Sequence, residues 1–301
     1  MSSPKIWISE IRAPFLLLPL IFVLIGVTMA WRDGFFNPVY ALLTLIGVVC
    51  LHAAANILND YFDYRSGIDL HTTRTPFSGG SGILTSNKMT PRNVLFEGIL
   101  FLVIGLSIGG YFLYTLEFNP ILIFIMAFAV LGIILYSPTI SRFGIGEFVV
   151  ALMFGPLLLF GVYFVQTMLV SVEPILIGAV TGILTSSVLY INEFPDHDSD
   201  KKMGRLHLVA RMGKKSASKK LKYIFALAYV LIIAGVVLQI MPIFSIIGLA
   251  TIPLARKSYK ILEGNYDENT KLIPGMASTI FTAILTGLIL SLANIMALIL
   301  I

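Results

Sequence analysis

Residues 38–69 read PVYALLTLIGVVCLHAAANILNDYFDYRSGID, a long apolar run that ends in acidic and amide side chains. The run 38–60 is long enough for a membrane-spanning helix, which needs about 20 largely apolar residues. Four polar residues at the end of this run and just beyond it have the spacing that places them on one face of a helix: Asn56, Asn59, Asp60 and Asp63. Asp69 comes six residues later. Because carboxylates at a membrane boundary are costly, this stretch predicts a spanning helix with a functional site at its end.

The whole chain is unusually apolar. Of its 301 residues, 57% are hydrophobic and 12% are charged, and the mean hydropathy is +0.91. A soluble domain carries about a quarter charged residues, so the composition predicts one all-α domain over residues 1–301, embedded in a membrane. About nine apolar windows are long enough to span a bilayer: 13–31, 38–60, 93–115, 119–137, 147–168, 172–192, 222–239, 241–255 and 273–300.

The N-terminus and the single cysteine limit other possibilities. Lys5, Glu10 and Arg12 precede the first window without a small-residue cleavage site, so no cleavable signal peptide is predicted. Cys50 is the only cysteine and lies inside an apolar run. This excludes disulfides and cysteine metal sites.

Basic residues occur almost entirely in every second loop. Of the 21 Lys and Arg residues, 20 fall in these loops and only Arg32 lies on the other side. By the positive-inside rule, we expect an integral protein of the cell membrane with a cytoplasmic N-terminus. The loops 61–92 and 193–221 should then also be cytoplasmic. The pI of 9.2 reflects this topology, and nucleic-acid binding is not expected.

A second acidic set reads NEFPDHDSD at residues 192–200. Pro195 disfavours the α conformation at the preceding residue, so the sixth span should end or kink at Phe194. Asp196 and Asp200 are four residues apart and share a face if a helical turn resumes. Asp198 should instead be solvated.

The remaining side chains of the second loop have plainer interpretations. His197 and His207 are expected to be ordinary loop residues, since no partner stands at ligand spacing. The basic run Lys201, Lys202 and Arg205 is explained equally well by topology and by diphosphate binding.

The two acid-bearing loops follow the second and sixth spans. This order predicts a bundle of two related halves, closed by the last span, around a central cavity at the interface of the halves. Between the two acidic sets, RTPFSGGSG at residues 74–82 is suited to bringing backbone N–H groups close to phosphate, although it lacks a P-loop ending. Oxygen-rich clusters of this kind are the usual way to hold Mg²⁺ against a diphosphate.

At this point the residues resemble the UbiA superfamily of intramembrane aromatic prenyltransferases. Asn59–Asp69 is similar to the first Asp-rich signature of that family, and 192–200 followed by Gly204-Arg205 is similar to the second. The gap from Asp63 to Asp69 resembles the menaquinone (MenA-like) branch, whereas the ubiquinone branch has Asp where this chain has Gly67. Further stretches of the same likeness are YSP at 136–138, GIGE at 144–147, FGPL at 154–157 and GVYFVQT at 161–167.

This resemblance, which runs from about Arg12 to Gly213, implies transfer of a polyprenyl group from prenyl diphosphate to an aromatic acceptor inside the membrane. In the menaquinone branch the acceptor is 1,4-dihydroxy-2-naphthoate. It implies two Mg²⁺ ions, with Mn²⁺ as a substitute, on Asn59, Asp63, Asp69, Asp196 and Asp200. Diphosphate or substrate contacts would come from Asn59, Arg74, Arg142, Asn192 and Lys202. Catalytic roles would fall to Asp63, Asp196, Asp200 and Tyr136, and a carbocation could be stabilised by Tyr61, Tyr64, Tyr136 or Tyr163.

Two alternatives stay open at the level of sequence. The loop at 74–80 is not that of typical bacterial members, which leaves room for prenylation of a glycerol-phosphate lipid, as in archaeal ether-lipid synthesis. A secondary transporter would also carry carboxylates in the membrane, but its ion site should lie near the middle of the bilayer.

Overall fold

The computed structural model describes residues 3–72 and 74–300, and these residues form helices and loops without a β-strand. The α-helices are α1 Pro4–Glu10, α2 Leu17–Arg32, α3 Pro38–Ser66, α4 Pro91–Thr115, α5 Pro120–Leu135, α6 Gly146–Leu152, α7 Leu158–Thr167, α8 Glu173–Lys202, α9 Leu208–Met212, α10 Lys214–Ser218, α11 Leu221–Val237, α12 Ile252–Asn265 and α13 Asn269–Leu300. A π-helical turn, Met153–Leu157, joins α6 to α7.

The predicted spans all fall on helical segments. Within the described residues, seven helical segments are long and apolar enough to cross a membrane, and α5 is a shorter apolar helix. The predicted span 241–255 is largely a 3₁₀ helix, Ile243–Thr251. This nine-residue 3₁₀ helix extends roughly 18 Å at about 2.0 Å per residue. Together, the described helical segments form the expected all-α polytopic bundle.

The two acid-bearing helices are longer than their apolar runs. α3 continues past residue 60 to Ser66, where Gly67 ends it in the left-handed conformation at φ 82°. α8 continues through Pro195 to Lys202. Of the end or kink predicted at Phe194, the end is therefore wrong. Phe194 and Pro195 are both buried, so packing outweighs the loss of one helical N–H at the proline. Consequently Asp63, Asp196 and Asp200 are carried on rigid helix ends.

The bundle closes by contact between its last and first spans. α13 packs against α2, α8 and α12, while α3 packs along α4 and contacts α2. α8 is the most buried of the candidate spans. It also contacts α6, α7 and α11, and so it lies at the centre of the bundle. α4 is the most exposed candidate span and presents apolar side chains such as Phe96, Leu100 and Val103 outward, as a lipid-facing helix would.

Glycines let the α6–α7 segment approach α8 at backbone distance. A Cβ at Gly182 would lie 2.0 Å from the carbonyl oxygen of Ala151, and one at Gly155 would lie 2.3 Å from the carbonyl oxygen of Gly178. Gly155 itself has the non-helical angles φ −115°, ψ −108°. Small residues at a crossing are typical of helix pairs in membranes, where dispersion contacts replace the hydrophobic effect.

The end of the bundle opposite the acidic motifs is joined by a polar network. The guanidinium of Arg32 donates to Glu173 Oε1 at 2.7 Å and to Asn294 Oδ1 at 2.8 Å. Tyr163 donates to Asp33 Oδ2 at 2.8 Å. Arg32, the one basic residue outside the basic loops, therefore has a structural explanation: it joins α2 to α8 and α13.

We expect Gly182→Ala to destabilise the protein because its new methyl group would overlap the backbone of α6. Overpacking of this kind typically costs about 1–3 kcal/mol. Thermal unfolding of the purified protein in detergent should show a lower Tm. Gly110→Ala is the matched control, since a Cβ there meets nothing within 4 Å. It should leave the Tm unchanged or slightly higher, and equal effects of the two substitutions would contradict the close crossing.

Candidate active site

The C-terminal ends of α3 and α8 meet around one cavity of about 760 Å³, here called the acid cavity. It contains all five predicted metal ligands together with Tyr136 and Asn192. Its other polar lining residues include Arg12, Ser78, Glu193, Arg205 and His207. Two motifs more than a hundred residues apart therefore form a single site.

Arg205 connects the two acidic motifs. Its guanidinium donates a very short hydrogen bond to Asp63 Oδ1, and Nη1 lies 4.0 Å from Asp200 Oδ2. Asp63 also accepts a short hydrogen bond from Ser137 and one from Asn59 Nδ2 at 3.3 Å. A buried carboxylate needs such partners, and here they fix the position of Asp63 relative to α8.

His207 completes this arrangement, so its interpretation as an ordinary loop residue is wrong. It is 3% exposed, with Nδ1 3.2 Å from Glu193 Oε2 and Nε2 3.4 Å from Asp200 Oδ2. Burial alone would lower the pKa of His207, but its contacts with the Asp200 and Glu193 carboxylates outweigh burial and raise the pKa to about 10. Nδ1 also accepts the N–H of Ala210 at 3.2 Å, so the imidazole holds the loop after α8 against the end of that helix.

A second buried carboxylate adjoins this histidine. One ligand atom from each of Glu147, Glu193 and His207 lies within 4.8 Å of the others. Glu147 Oε1 accepts the backbone N–H of Leu208 at 2.6 Å. The trio thus anchors the start of α9 beneath the acid cavity.

Asp69 reaches the cavity from the turn after α3. Burial, followed by repulsion from Asp63 and Asp60, raises its pKa to about 8. A carboxyl group in this condition holds a proton at neutral pH unless a cation displaces it.

The cavity suits a hard divalent cation. Asp196 Oδ1, Asp200 Oδ1 and Asn192 Oδ1 are buried and have no hydrogen-bond partner within the described chain. Buried oxygens without partners are uncommon and call for an explanation. Oxygen ligands without sulfur are those that Mg²⁺ and Mn²⁺ prefer, so the residues present fit these ions.

The cations of the cavity differ from the predicted set. Arg12 and Arg205 line it, whereas Arg74, Arg142 and Lys202 do not and are exposed. Arg74 instead folds back on its own loop and donates to the carbonyl oxygen of Ser81. The number of residues between each basic residue and the acidic motifs did not indicate which basic side chain lines the acid cavity.

Asp60 departs from the predicted single stripe, because it faces the glycine-containing loop and not the cavity. Its Oδ2 accepts the N–H of Ser81 at 2.6 Å, and its Oδ1 lies 3.9 Å from Arg12. The hydroxyl of Ser81 donates to Glu10 Oε2 at 2.6 Å. Gly80 has φ +68°, and a Cβ there would approach Asp60 to 3.1 Å. The loop is thereby held down so that Ser78, Gly79 and Gly80 form one wall of the acid cavity.

A larger cavity of about 1350 Å³, here called the apolar chamber, adjoins the acid cavity. The two share Arg12, Asn59, Tyr136, Leu189 and Asn192. Of the four tyrosines predicted to face a carbocation, only Tyr136 lines these cavities. Tyr163 lies in the opposite polar network, and Tyr61 and Tyr64 pack against a separate apolar cluster.

Comparisons with known proteins identify the family of this chain. The model of the UbiA prenyltransferase family matches residues 19–285. The 1,4-dihydroxy-2-naphthoate octaprenyltransferase of Escherichia coli (strain K12) is 28% identical over 223 residues, which cover 73% of this chain and 72% of that protein.

Two solved structures share the fold. The apo UbiA homolog from Aeropyrum pernix K1 matches with a TM-score of 0.70 at 17% identity, over 94% of this chain and 98% of that one. A UbiA homolog from Archaeoglobus fulgidus bound to DMAPP and Mg²⁺ matches with a TM-score of 0.62 at 16% identity, again over 94% and 98%.

The buried Glu10 that holds the loop should make stability depend on pH. Burial, then the nearby Asp60 charge, raises the pKa of Glu10 from 4.5 to about 8. A raised pKa gives stability that is fully present below pH 4.5 and is lost as pH rises to 8, since only the unfolded chain ionises readily. Glu10→Gln removes this ionisation and keeps an oxygen for Ser81. We expect its Tm to fall less than the wild-type Tm between pH 5 and pH 8, and parallel curves would contradict the assignment.

Proposed function

The chain belongs to the UbiA prenyltransferase family, and we propose that it transfers a polyprenyl group from its diphosphate to 1,4-dihydroxy-2-naphthoate, in menaquinone biosynthesis. The observation that carries the proposal is that the acid cavity and the apolar chamber adjoin and share five lining residues. The first presents carboxylates and two guanidinium groups, while the second is large and mainly apolar. A prenyl diphosphate has these same two parts.

The diphosphate would bind in the acid cavity. Mg²⁺ held by Asn59, Asp63, Asp69, Asp196 and Asp200 would neutralise its charge and help it leave. The homolog from Archaeoglobus fulgidus that binds DMAPP and Mg²⁺ supports this ion for the shared fold. We also propose that two Mg²⁺ ions bind and that Mn²⁺ can replace them. Arg12 and Arg205 are placed to donate charge-assisted hydrogen bonds to the diphosphate oxygens.

The reacting carbon would lie where the two cavities join. Breaking the C–O bond leaves an allylic cation that must be kept from water, and the mainly apolar lining of the chamber favours this. Tyr136 lines both cavities, so its ring is available to the developing positive charge. The acceptor ring carbon would then form the new C–C bond and lose CO₂.

A separate apolar groove is available to the isoprenoid tail. A side groove with about 830 Å³ of empty space lies among α3, α4, α5 and α7, and its lining is almost entirely apolar. It shares Val48, Leu51, Ala129, Met153 and Leu158 with the apolar chamber. Since α4 faces outward, a long tail could extend from the chamber toward the lipid.

The acceptor assignment is supported by relatives named for it, including the protein from Escherichia coli (strain K12). We further propose that the acid cavity opens to the cytoplasm, because 20 of the 21 basic residues lie in loops at that end. The transporter alternative is less well supported, since both acidic sets lie at helix ends and not at mid-membrane.

The experiment for this proposal measures products by mass spectrometry. Purified protein with Mg²⁺ is given geranylgeranyl diphosphate and either 1,4-dihydroxy-2-naphthoate or glycerol-1-phosphate lipid. We expect prenylated, decarboxylated naphthoquinol together with diphosphate. A prenylated glycerol lipid alone would favour the ether-lipid reaction, and no product from either acceptor would contradict the proposal.

Asp196→Ala should reduce turnover by at least about 100-fold, because even outer-shell partners of a metal ligand typically contribute 10- to 100-fold. Asp198→Ala is the matched control on the same helix turn. Its carboxylate is 73% exposed and lies 3.3 Å from Lys214, away from the cavity. It should retain turnover within about twofold, a surface change having little effect. Similar losses in both variants, with both eluting as folded protein, would contradict the metal assignment.

The affinity of the protein for Mg²⁺ should depend on pH because Asp69 is one of the proposed ligands. We expect EDTA to abolish activity and Mg²⁺ or Mn²⁺ to restore it. A proton must leave Asp69 before it binds a cation, and its pKa in the metal-free protein is about 8. Apparent Mg²⁺ affinity, measured as a rise in Tm with added MgCl₂, should therefore increase from pH 6 to pH 8 and then level off. Asp69→Asn should weaken this pH dependence, and an unchanged pH dependence would remove Asp69 from the ligand set.

A further inference from the structure

The apolar chamber contains one imidazole with no assigned partner. His52 lies on α3 and lines the chamber together with Asn56 and Asn59. Its Nδ1 is buried and has no hydrogen-bond partner within the described chain. Because buried polar atoms are normally paired, this nitrogen requires an explanation.

Two other polar side chains near His52 are already hydrogen-bonded within the protein. The Thr185 hydroxyl donates to the carbonyl oxygen of Thr181 at 2.8 Å, and Asn56 Nδ2 donates to that of Ile11 at 3.2 Å. The His52 ring lies edge-on to Phe154, with 4.8 Å between the ring centroids. Asn192 Oδ1 is also unpaired within the described chain, but Asn192 lines the acid cavity as well, so His52 is the unpaired polar side chain that lines the apolar chamber alone.

The position of His52 is set by the same helical face as the acid motif. His52, Asn56, Asn59 and Asp63 occur at i, i+4, i+7 and i+11, which places them along one side of α3. His52 is seven residues before Asn59, or about 10 Å deeper at 1.5 Å per residue. One or two aromatic rings can fill a gap of this size.

We propose that His52 binds a ring hydroxyl or carboxylate of the aromatic acceptor, so that the acceptor lies between His52 and the reacting carbon. This rests on the proposed function. The prenyl donor is not suited to the role, because its charged head belongs in the acid cavity and its tail has no polar atoms. Phe154, in edge contact with the imidazole, would pack against the acceptor ring.

This assignment makes His52 a specificity-determining residue. An imidazole both donates and accepts hydrogen bonds, so it can pair with a phenol, a phenolate or a carboxylate. An aromatic compound without such a group would leave the buried nitrogen unpaired, and sites of this kind discriminate strongly against the analogue that lacks the polar group.

The kinetic test compares three variants in the product assay. His52→Leu removes the polar group, His52→Gln keeps a donor and an acceptor, and Thr185→Val removes a hydroxyl that is already bonded within its helix. We expect His52→Leu to raise KM for 1,4-dihydroxy-2-naphthoate by about tenfold or more, the effect of one lost hydrogen bond. KM for geranylgeranyl diphosphate should stay within about twofold, since its diphosphate does not reach His52. His52→Gln should recover part of the loss, and Thr185→Val should resemble the wild type.

A binding measurement without prenyl donor separates this inference from the proposed function. The thermal stabilisation of the wild type by 1-naphthol should exceed that by naphthalene, and His52→Leu should abolish the difference. His52→Met, which also removes the polar group, serves the same comparison if His52→Leu does not fold, whereas His52→Gln should keep part of the difference. Equal stabilisation of wild type and variant, or an unchanged acceptor KM, would overturn the role of His52. Failure of the wild type to form prenylated product would instead overturn the proposed function, while the binding comparison still decides on His52.

Discussion

Arg205 is the residue on which the geometry of the site depends. It contacts Asp63 at the end of α3 and lies 4.0 Å from Asp200 at the end of α8. These helices come from different halves of the chain, and their carboxylates repel one another unless a positive charge lies between them. A buried guanidinium is suited to this task because it remains charged and its planar donors reach two acids at once. Arg205 occupies one wall of the cavity, and Asp196 Oδ1 and Asp200 Oδ1 have no hydrogen-bond partner within the described chain.

Much of the fold followed from the sequence because a membrane imposes simple rules. Apolar length located the spans, the helical period placed Asn59 and Asp63 on one face, and the two acidic sets were expected to share a cavity. The structure and the family match confirm the helical bundle and the UbiA-type prenyltransferase. The roles of individual side chains remain predictions, although the structure brings the expected acidic residues together.

The incorrect predictions have a common physical origin, since each feature depends on tertiary packing that cannot be read from the local sequence. Pro195 was expected to end or kink its helix at Phe194, but its neighbours are buried and the helix does not end there. His207 lacked a partner at ligand spacing, yet Glu193 and Asp200 reach it from another segment. The diphosphate-binding cations were predicted at Arg74, Lys202 and Arg142. The cavity is lined instead by Arg205 and by Arg12, which reaches it from the start of the first span. The sequence could have indicated that His52 belongs to the site, because this residue continues the polar face of α3 by one further turn.

The polar network around Arg32 has a consequence for how the protein is made. Arg32 and Asn294 are separated by 262 residues, so their hydrogen bond forms only after almost the whole chain has been synthesised. At about 5–20 residues per second, that interval is roughly 13–52 s. During it, the nascent protein holds an arginine whose final partner does not yet exist. A chain that stalls before its last helix would leave this charged group incompletely paired at the membrane, a state that membrane proteases could distinguish from the finished protein.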